Sequence, residues 1–192
     1  MCSSRFLSLA FLALIMVGGG CVRALPPAPA GVTLQPGRYL EAYYRAPDFS
    51  PVQFPYSLTP FTLETAQGVT PDTFLPLLER ELVRAWEANG LKVAPQGDAC
   101  LLSGTVHRVS VRGTSLRFFL GRIRADLSVS GAITREGQTL FVFQDRIHLT
   151  SPLKPGPSAP KEVELLLRQV VRTFTTHLMN ELLLYGFTAS GE

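Results

Sequence analysis

Five arginines, Arg108, Arg112, Arg117, Arg122 and Arg124, fall within a short stretch that contains no acid before Asp126. They flank Gly113-Thr114-Ser115-Leu116-Arg117-Phe118-Phe119-Leu120-Gly121, a segment with an apolar tip. A guanidinium is a planar fork that matches phosphate or carboxylate bidentately, and bulky apolar residues beside it suit acyl chains or a greasy partner surface. Arg112, Arg117, Phe118, Phe119, Arg122 and Arg124 are therefore the candidate contacts for an amphiphile with an anionic headgroup. The competing expectation is a solvated sheet face of arginines, with Phe118, Phe119 and Leu120 continuing a core strand.

The remaining chemistry-bearing residues point away from catalysis. The chain has no G-x-S-x-G, no G-x-x-x-x-G-K, no H-E-x-x-H and no C-x-x-C, the spacings that nucleophilic hydrolysis, nucleotide binding and zinc sites commonly use. His107, His148 and His177 lie far apart in sequence. Two imidazoles on strands of one sheet could join a carboxylate at a metal, but scattered surface histidines are the expectation, with no metal and no cofactor. His177 and Glu181, four apart, are expected to form a helix-surface pair. Cys100 sits in the apolar run Ala-Cys-Leu-Leu, where a buried small hydrophobe is expected rather than a nucleophile.

Residues 1–20 carry one charge, Arg5, then an apolar run from about Phe6 to Val17 and three glycines before Cys21. This is the pattern of a signal peptide. The run is shorter than the roughly 20 residues that cross a bilayer as a helix. Gly18-Gly19-Gly20-Cys21 resembles the lipobox of bacterial lipoproteins, which implies acylation of Cys21 with chains such as palmitate. Each buried methylene contributes about 0.8 kcal/mol to membrane attachment. Val22 stands where Asp retains many Gram-negative lipoproteins at the inner membrane, so the resemblance implies the outer membrane, facing the periplasm. Residues 21–36 then form the lipidated cysteine and a tether with four prolines, extended and helix-incompatible. Residues 37–192 form a single α+β periplasmic domain. With Cys2 and Cys21 accounted for, Cys100 has no partner for an internal disulfide. The formal net charge of +3 falls to +2 once Arg5 is removed, too small a field to support nucleic-acid binding.

The elements that position the arginines follow from periodicity. Tyr39–Arg45 and Pro60–Thr65 read as short edge strands in a proline-rich segment. Thr70-Pro71 starts a helix, Pro76 bends or delays its first turn, and Asn89-Gly90 ends it; Leu75, Leu78, Leu82 and Ala85 or Trp86 form its apolar stripe. Leu91–Ala94 reads as a short strand. Ala99–Val111 is a strand apolar on both faces, whereas Ile123, Ala125, Leu127, Val129, Gly131 and Ile133 alternate with Arg124, Asp126, Ser128 and Ser130. Arg135–Gln138 is a hairpin turn, and Leu140–Thr150 returns with Phe141, Phe143, Ile147 and Leu149 on one face. After a loop at Ser151–Pro160, a long amphipathic helix runs from about Val163 to a stop near Gly186. The expected architecture is an α+β two-layer sandwich, a mainly antiparallel sheet covered on one face by two helices.

In this frame the sequence resembles small bacterial envelope lipoproteins, either the lipopolysaccharide-assembly type (LptE-like) or the YajG-like group. The resemblance rests on Gly18–Cys21, on Ala88-Asn89-Gly90-Leu91-Lys92-Val93, and on Asp98-Ala99-Cys100-Leu101-Leu102-Ser103-Gly104-Thr105-Val106, which matches an acidic-Ala-x-x-Leu-x-Gly-x-Val step. It departs after Cys21, where Val22-Arg23 replaces a glycine-tyrosine pair. The first family implies a non-enzymatic outer-membrane lipoprotein acting as a binding or assembly subunit. Its implied partners are an outer-membrane protein and an anionic lipid such as lipopolysaccharide. The alternatives are an accessory lipoprotein of an envelope transport or secretion complex, which would need a protein-binding edge strand, and an envelope hydrolase joining His107 or His148 to a carboxylate.

Overall fold

The computed structural model of the chain describes residues 31–95, 97–114, 121–153 and 159–184. Residues 1–30, which include the expected signal peptide and Cys21, and Arg117, Phe118 and Phe119 lie outside the described residues.

Four short strands, β1 (Ala42–Arg45), β2 (Tyr56–Leu58), β3 (Thr62–Leu63) and β4 (Ala66–Gln67), precede helix α1 (Pro71–Ala88). Three long strands follow, β5 (Cys100–Thr114), β6 (Gly121–Arg135) and β7 (Gln138–Leu153), and then helix α2 (Ala159–Leu183). The sheet order is β1-β7-β6-β5-β2, with β3 and β4 also on β5. The expected α+β sandwich is what forms: both helices feed one core with the buried face of the sheet.

β2, β3 and β4 act as one interrupted edge strand, because Thr59-Pro60 and the residues around Glu64 break the ladder along β5. They run parallel to β5, and α1 supplies the long crossover that a parallel neighbour requires. The predicted strand at Pro60–Thr65 shrinks to Thr62–Leu63, since proline has no N–H to give the ladder. Leu91–Ala94 makes only a bridge from Val93 to Tyr56.

α1 begins at Pro71 despite Pro76, which neither delays nor ends it. At its other end the Gly90 N–H donates to Glu87 O (3.0 Å) and the Leu91 N–H to Trp86 O (3.0 Å), while Gly90 takes φ +73°. This is a Schellman stop, and buried Leu91 beside Trp86 is its usual apolar contact. Leu75 is only partly buried; Phe74, Leu77, Leu78, Leu82 and Trp86 carry the stripe.

The hairpin turn places Glu136 at φ 51° and Gly137 at φ 78°, the doubly left-handed geometry whose twist matches antiparallel strands. A bulge lies between Val106 and Arg108 in β5. Before it the even-numbered Leu102 and Val106 are buried; after it the odd-numbered Val109 and Val111 are. The one-residue insertion therefore explains why this strand reads as apolar on both faces, and it turns Arg108 and Arg112 away from the core.

Candidate binding face

The face of the sheet that neither α1 nor α2 covers is built from the polar half of the alternation. On β6 it carries Arg122, Arg124, Asp126, Ser128 and Ser130, while Ile123, Ala125, Leu127 and Val129 are buried beneath. On β7 it carries Arg146, His148 and Thr150, all exposed. Near the hairpin end this face is a shallow open depression lined by Thr62, Ser103, Thr105, Ser130, Ala132 and Gln144. Small hydroxyl side chains predominate there, and Thr62 and Thr105 bond through their hydroxyls at 2.9 Å.

The charge collects at the far end. Arg112 pairs in register with Arg124, and Arg122 with Thr114. Arg112, Arg122 and Arg124 are exposed. Like charges directly opposite on neighbouring strands are unfavourable by themselves; Asp126, whose Oδ1 lies 3.9 Å from Arg124 Nε, is a described acid beside them. Arg108, half-buried, sits opposite Ser128, and its Nε has no hydrogen-bond partner among the described residues. Of the six predicted contact residues, the fold thus brings Arg112, Arg122 and Arg124 together.

Beside them lies a network that sequence reasoning missed. The Ser110 hydroxyl donates to Asp126 Oδ2 (3.2 Å), Asp126 Oδ1 pairs with His148 Nδ1 (2.5 Å), and Arg124 Nε donates to His148 Nε2 (2.8 Å). With Arg124 donating to Nε2, that nitrogen accepts, and the imidazole proton sits on Nδ1 facing the carboxylate. Ser110 bonds to the acid and not to the imidazole, so the imidazole is not placed to activate this hydroxyl as a base. The network orients Arg124. The register Asp126↔His148 brings the pair together, and the only local hint was that both residues fall on the polar side of their strands.

The other two histidines also meet carboxylates. His107, the bulged residue, bonds to Ser130 Oγ (2.7 Å) and Glu64 (3.0 Å). His177 does not pair with Glu181: its Nδ1 meets Asp145 Oδ2 at 2.9 Å, on the core side of β7. Burial pushes the Asp145 carboxyl above the usual range, opposed by His177 and by the backbone N–H groups of Arg146 and Glu41. Glu181 is buried and accepts the Tyr39 N–H (2.7 Å) and Leu40 N–H (3.2 Å), tying the N-terminal segment to α2. Helical spacing alone cannot separate a surface pair from two residues facing different buried partners. Glu81, also buried, meets Arg172 of α2 at 3.0 Å. Among the described residues no three His, Cys, Asp or Glu side chains converge as a metal site. Cys100 is buried, and burial raises its thiol above the ordinary value, as expected of a core residue.

No protein-family model matches the sequence, and a search of curated proteins finds no match. Solved structures do show similarity. A minor lipoprotein of Acinetobacter baumannii is 18% identical, with a TM-score of 0.45 over 67% of this chain and 91% of that one. Rare lipoprotein B of Shewanella oneidensis is 15% identical, with a TM-score of 0.42 over 65% and 91%. A Xanthomonas campestris protein of the DUF330 family is 14% identical, with a TM-score of 0.49 over 84% and 97%. The first two are bacterial lipoproteins by name, and none of the three is similar enough to assign this chain a family.

Proposed function

We propose that this chain is a non-enzymatic, lipid-anchored envelope lipoprotein that binds an anionic amphiphile, with lipopolysaccharide at the outer membrane as the leading candidate. The observation that carries the reading is the register that sets Arg112 opposite Arg124, with Arg122 beside them, on a face left uncovered by both helices. A phosphorylated headgroup would relieve the repulsion among these guanidinium groups and accept their forked donors. The apolar residues of the intervening segment, Phe118 and Phe119, are the proposed acyl-chain contacts. Cys21 carries the anchor in this reading, by its resemblance to a lipobox. Among the described residues no helix is long and apolar enough to cross a membrane.

The geometry also sets a reach requirement. Gln35 pairs antiparallel with Tyr43, which itself pairs with Phe143. Thr150, the partner of Arg124, lies seven residues farther along β7, about 24 Å at 3.4 Å per residue. At the polyproline rise of about 3.1 Å per residue, the sequence from 21 to 34 has a maximal reach of about 43 Å, enough in this reading for the arginine end to meet the anchoring bilayer.

The test is co-sedimentation of the full-length chain with vesicles containing lipopolysaccharide, with phosphatidylglycerol vesicles and phosphatidylcholine vesicles as comparisons. Binding to lipopolysaccharide that falls at least tenfold in Arg112→Glu/Arg122→Glu supports the reading; equal binding by the variant overturns it. Mass spectrometry of the membrane-purified chain against Cys21→Ala reads the acylation directly.

A further inference from the structure

Strand β7 puts His148 where a single proton changes what Arg124 can do. The imidazole lies between two unlike groups of β6: its Nδ1 meets Asp126 Oδ1 (2.5 Å), and its Nε2 accepts the Arg124 Nε–H (2.8 Å). Arg124 Nε is also 3.9 Å from the same Asp126 oxygen. A ring that accepts at one nitrogen is neutral, so the three groups together carry no net charge and Arg124 is held by both neighbours. A proton added at Nε2 removes the lone pair and sets donor against donor and cation against cation at Arg124. It also makes the contact with Asp126 a charge-assisted one. Asp126 is then compensated by the ring, and the hold on Arg124 is lost. The other charged groups around the ring do not take over this role. On β5, one strand beyond β6, Arg108, Ser110 and Arg112 stand opposite Ser128, Asp126 and Arg124. On β7, Arg146 is the charged neighbour on the same face and pairs with Glu41 (3.9 Å), while Asp145 turns to His177 on the covered face. β1 stops at the pair Ala42↔Gln144, so no described strand lies beyond the ring, and both helices pack on the other face.

We propose that His148 is a proton gate on the arginine end of this face: protonation releases Arg124 to join Arg112 and Arg122, and the site holds an anionic headgroup more tightly in mildly acidic than in neutral solution. The inference rests on the reading of this end as an anion site and adds its regulation. In the neutral state Arg124 is engaged by His148 and Asp126, and Arg112 and Arg122 meet the anion without it. In the protonated state a third guanidinium fork is available, and the net charge of the Arg124, Asp126 and His148 group rises by one. Histidine is the side chain whose charge changes in this pH range. The side chains of His148 and Arg124 are 41% and 58% exposed, so solvent reaches the ring and an anion can reach the released guanidinium. Linkage demands the converse as well: an anion that favours the released Arg124 favours the protonated ring, so binding near neutral pH takes up a proton.

The probe is sucrose octasulfate, whose sulfate esters keep their charge throughout, titrated calorimetrically into the full-length chain in non-ionic detergent at about pH 5.5 and about pH 7.5. The wild type binds at least fivefold more tightly at the lower pH. At the higher pH it takes up a proton on binding, read from the change in binding heat between buffers of different ionisation enthalpy. His148→Gln binds with the wild type's neutral-pH affinity at both pH values and takes up no proton. Arg124→Gln also loses the pH dependence, which a mere gain of charge at His148 would leave in place. His107→Gln, which removes the other histidine of the open face, keeps the full dependence. Equal affinity of the wild type at the two pH values overturns the gate, as does full pH dependence in His148→Gln or Arg124→Gln, or its loss in His107→Gln. In each of these cases the anion site itself stands if Arg112→Glu/Arg122→Glu weakens binding at least tenfold at both pH values. Undiminished binding by that double variant, or no binding by the wild type, overturns the anion site and the gate together.

Discussion

The two faces of the β5–β7 meander share one backbone and differ in almost everything else. The covered face packs Phe141, Phe143 and Phe174 as a run of tilted rings, with Ile133, Leu127 and Val129 around them. The open face carries hydroxyls at one end and guanidinium groups at the other. Period-two alternation lets one strand carry both a folding surface and a recognition surface, so substitutions one residue apart should act on different observables.

The largest effect should come from the covered face. Phe143→Ala removes a fully buried ring between Phe141 and Phe174 and should cost about 3–5 kcal/mol in urea unfolding; a loss below 1 kcal/mol would mean that the two faces do not divide the work as described. Gly131→Ala comes next. Its added methyl would overlap the Phe143 ring and the Ser103 carbonyl, and the ring can move only by repacking the core, so a loss of about 1–3 kcal/mol is expected. On the open face the sign reverses. Arg112→Glu turns a like-charge pair with Arg124 into an opposite-charge one and should raise stability by about 0.2–1 kcal/mol while weakening anion binding; a stability loss would show that Arg112 serves the fold.

The smallest effect sharpens the boundary between the faces, because Asp145 is a carboxyl on the covered side. Its folded-state pKa is raised by burial, so between the unfolded value near 4 and the raised folded value the native state binds more protons. Stability from this group is present at the acid end of that window and declines as pH rises through it. Relative to Asp145→Asn, the wild type should lose stability from pH 4 toward neutrality in parallel denaturation curves. A flat difference would mean that His177 and the two backbone donors offset the burial in full.

Much of this architecture is local information. The alternation of Ile123–Ile133 is read from the chain itself because neighbouring side chains on a strand point to opposite faces. Gly137 marks the hairpin because glycine takes a left-handed position without steric cost, and Asn89-Gly90 marks the end of α1 for a related reason. The arginine cluster is visible as a run of like charge. The small apolar run before Cys21 is equally local.

Partner choice is another matter. That Arg112 faces Arg124, that Asp126 reaches His148, and that His177 turns to Asp145 and not to Glu181 depend on registers between residues 12 to 32 positions apart. One bulge at His107 decides which parity of β5 is buried, and no local preference announces it. The parallel seating of β2–β4 and the open stretch of β7 likewise follow from where α1 returns the chain and where β1 stops. Residue types set the menu of elements because propensity and periodicity act over a few residues. The pairing among those elements, and with it the binding face, is set by packing over the whole core.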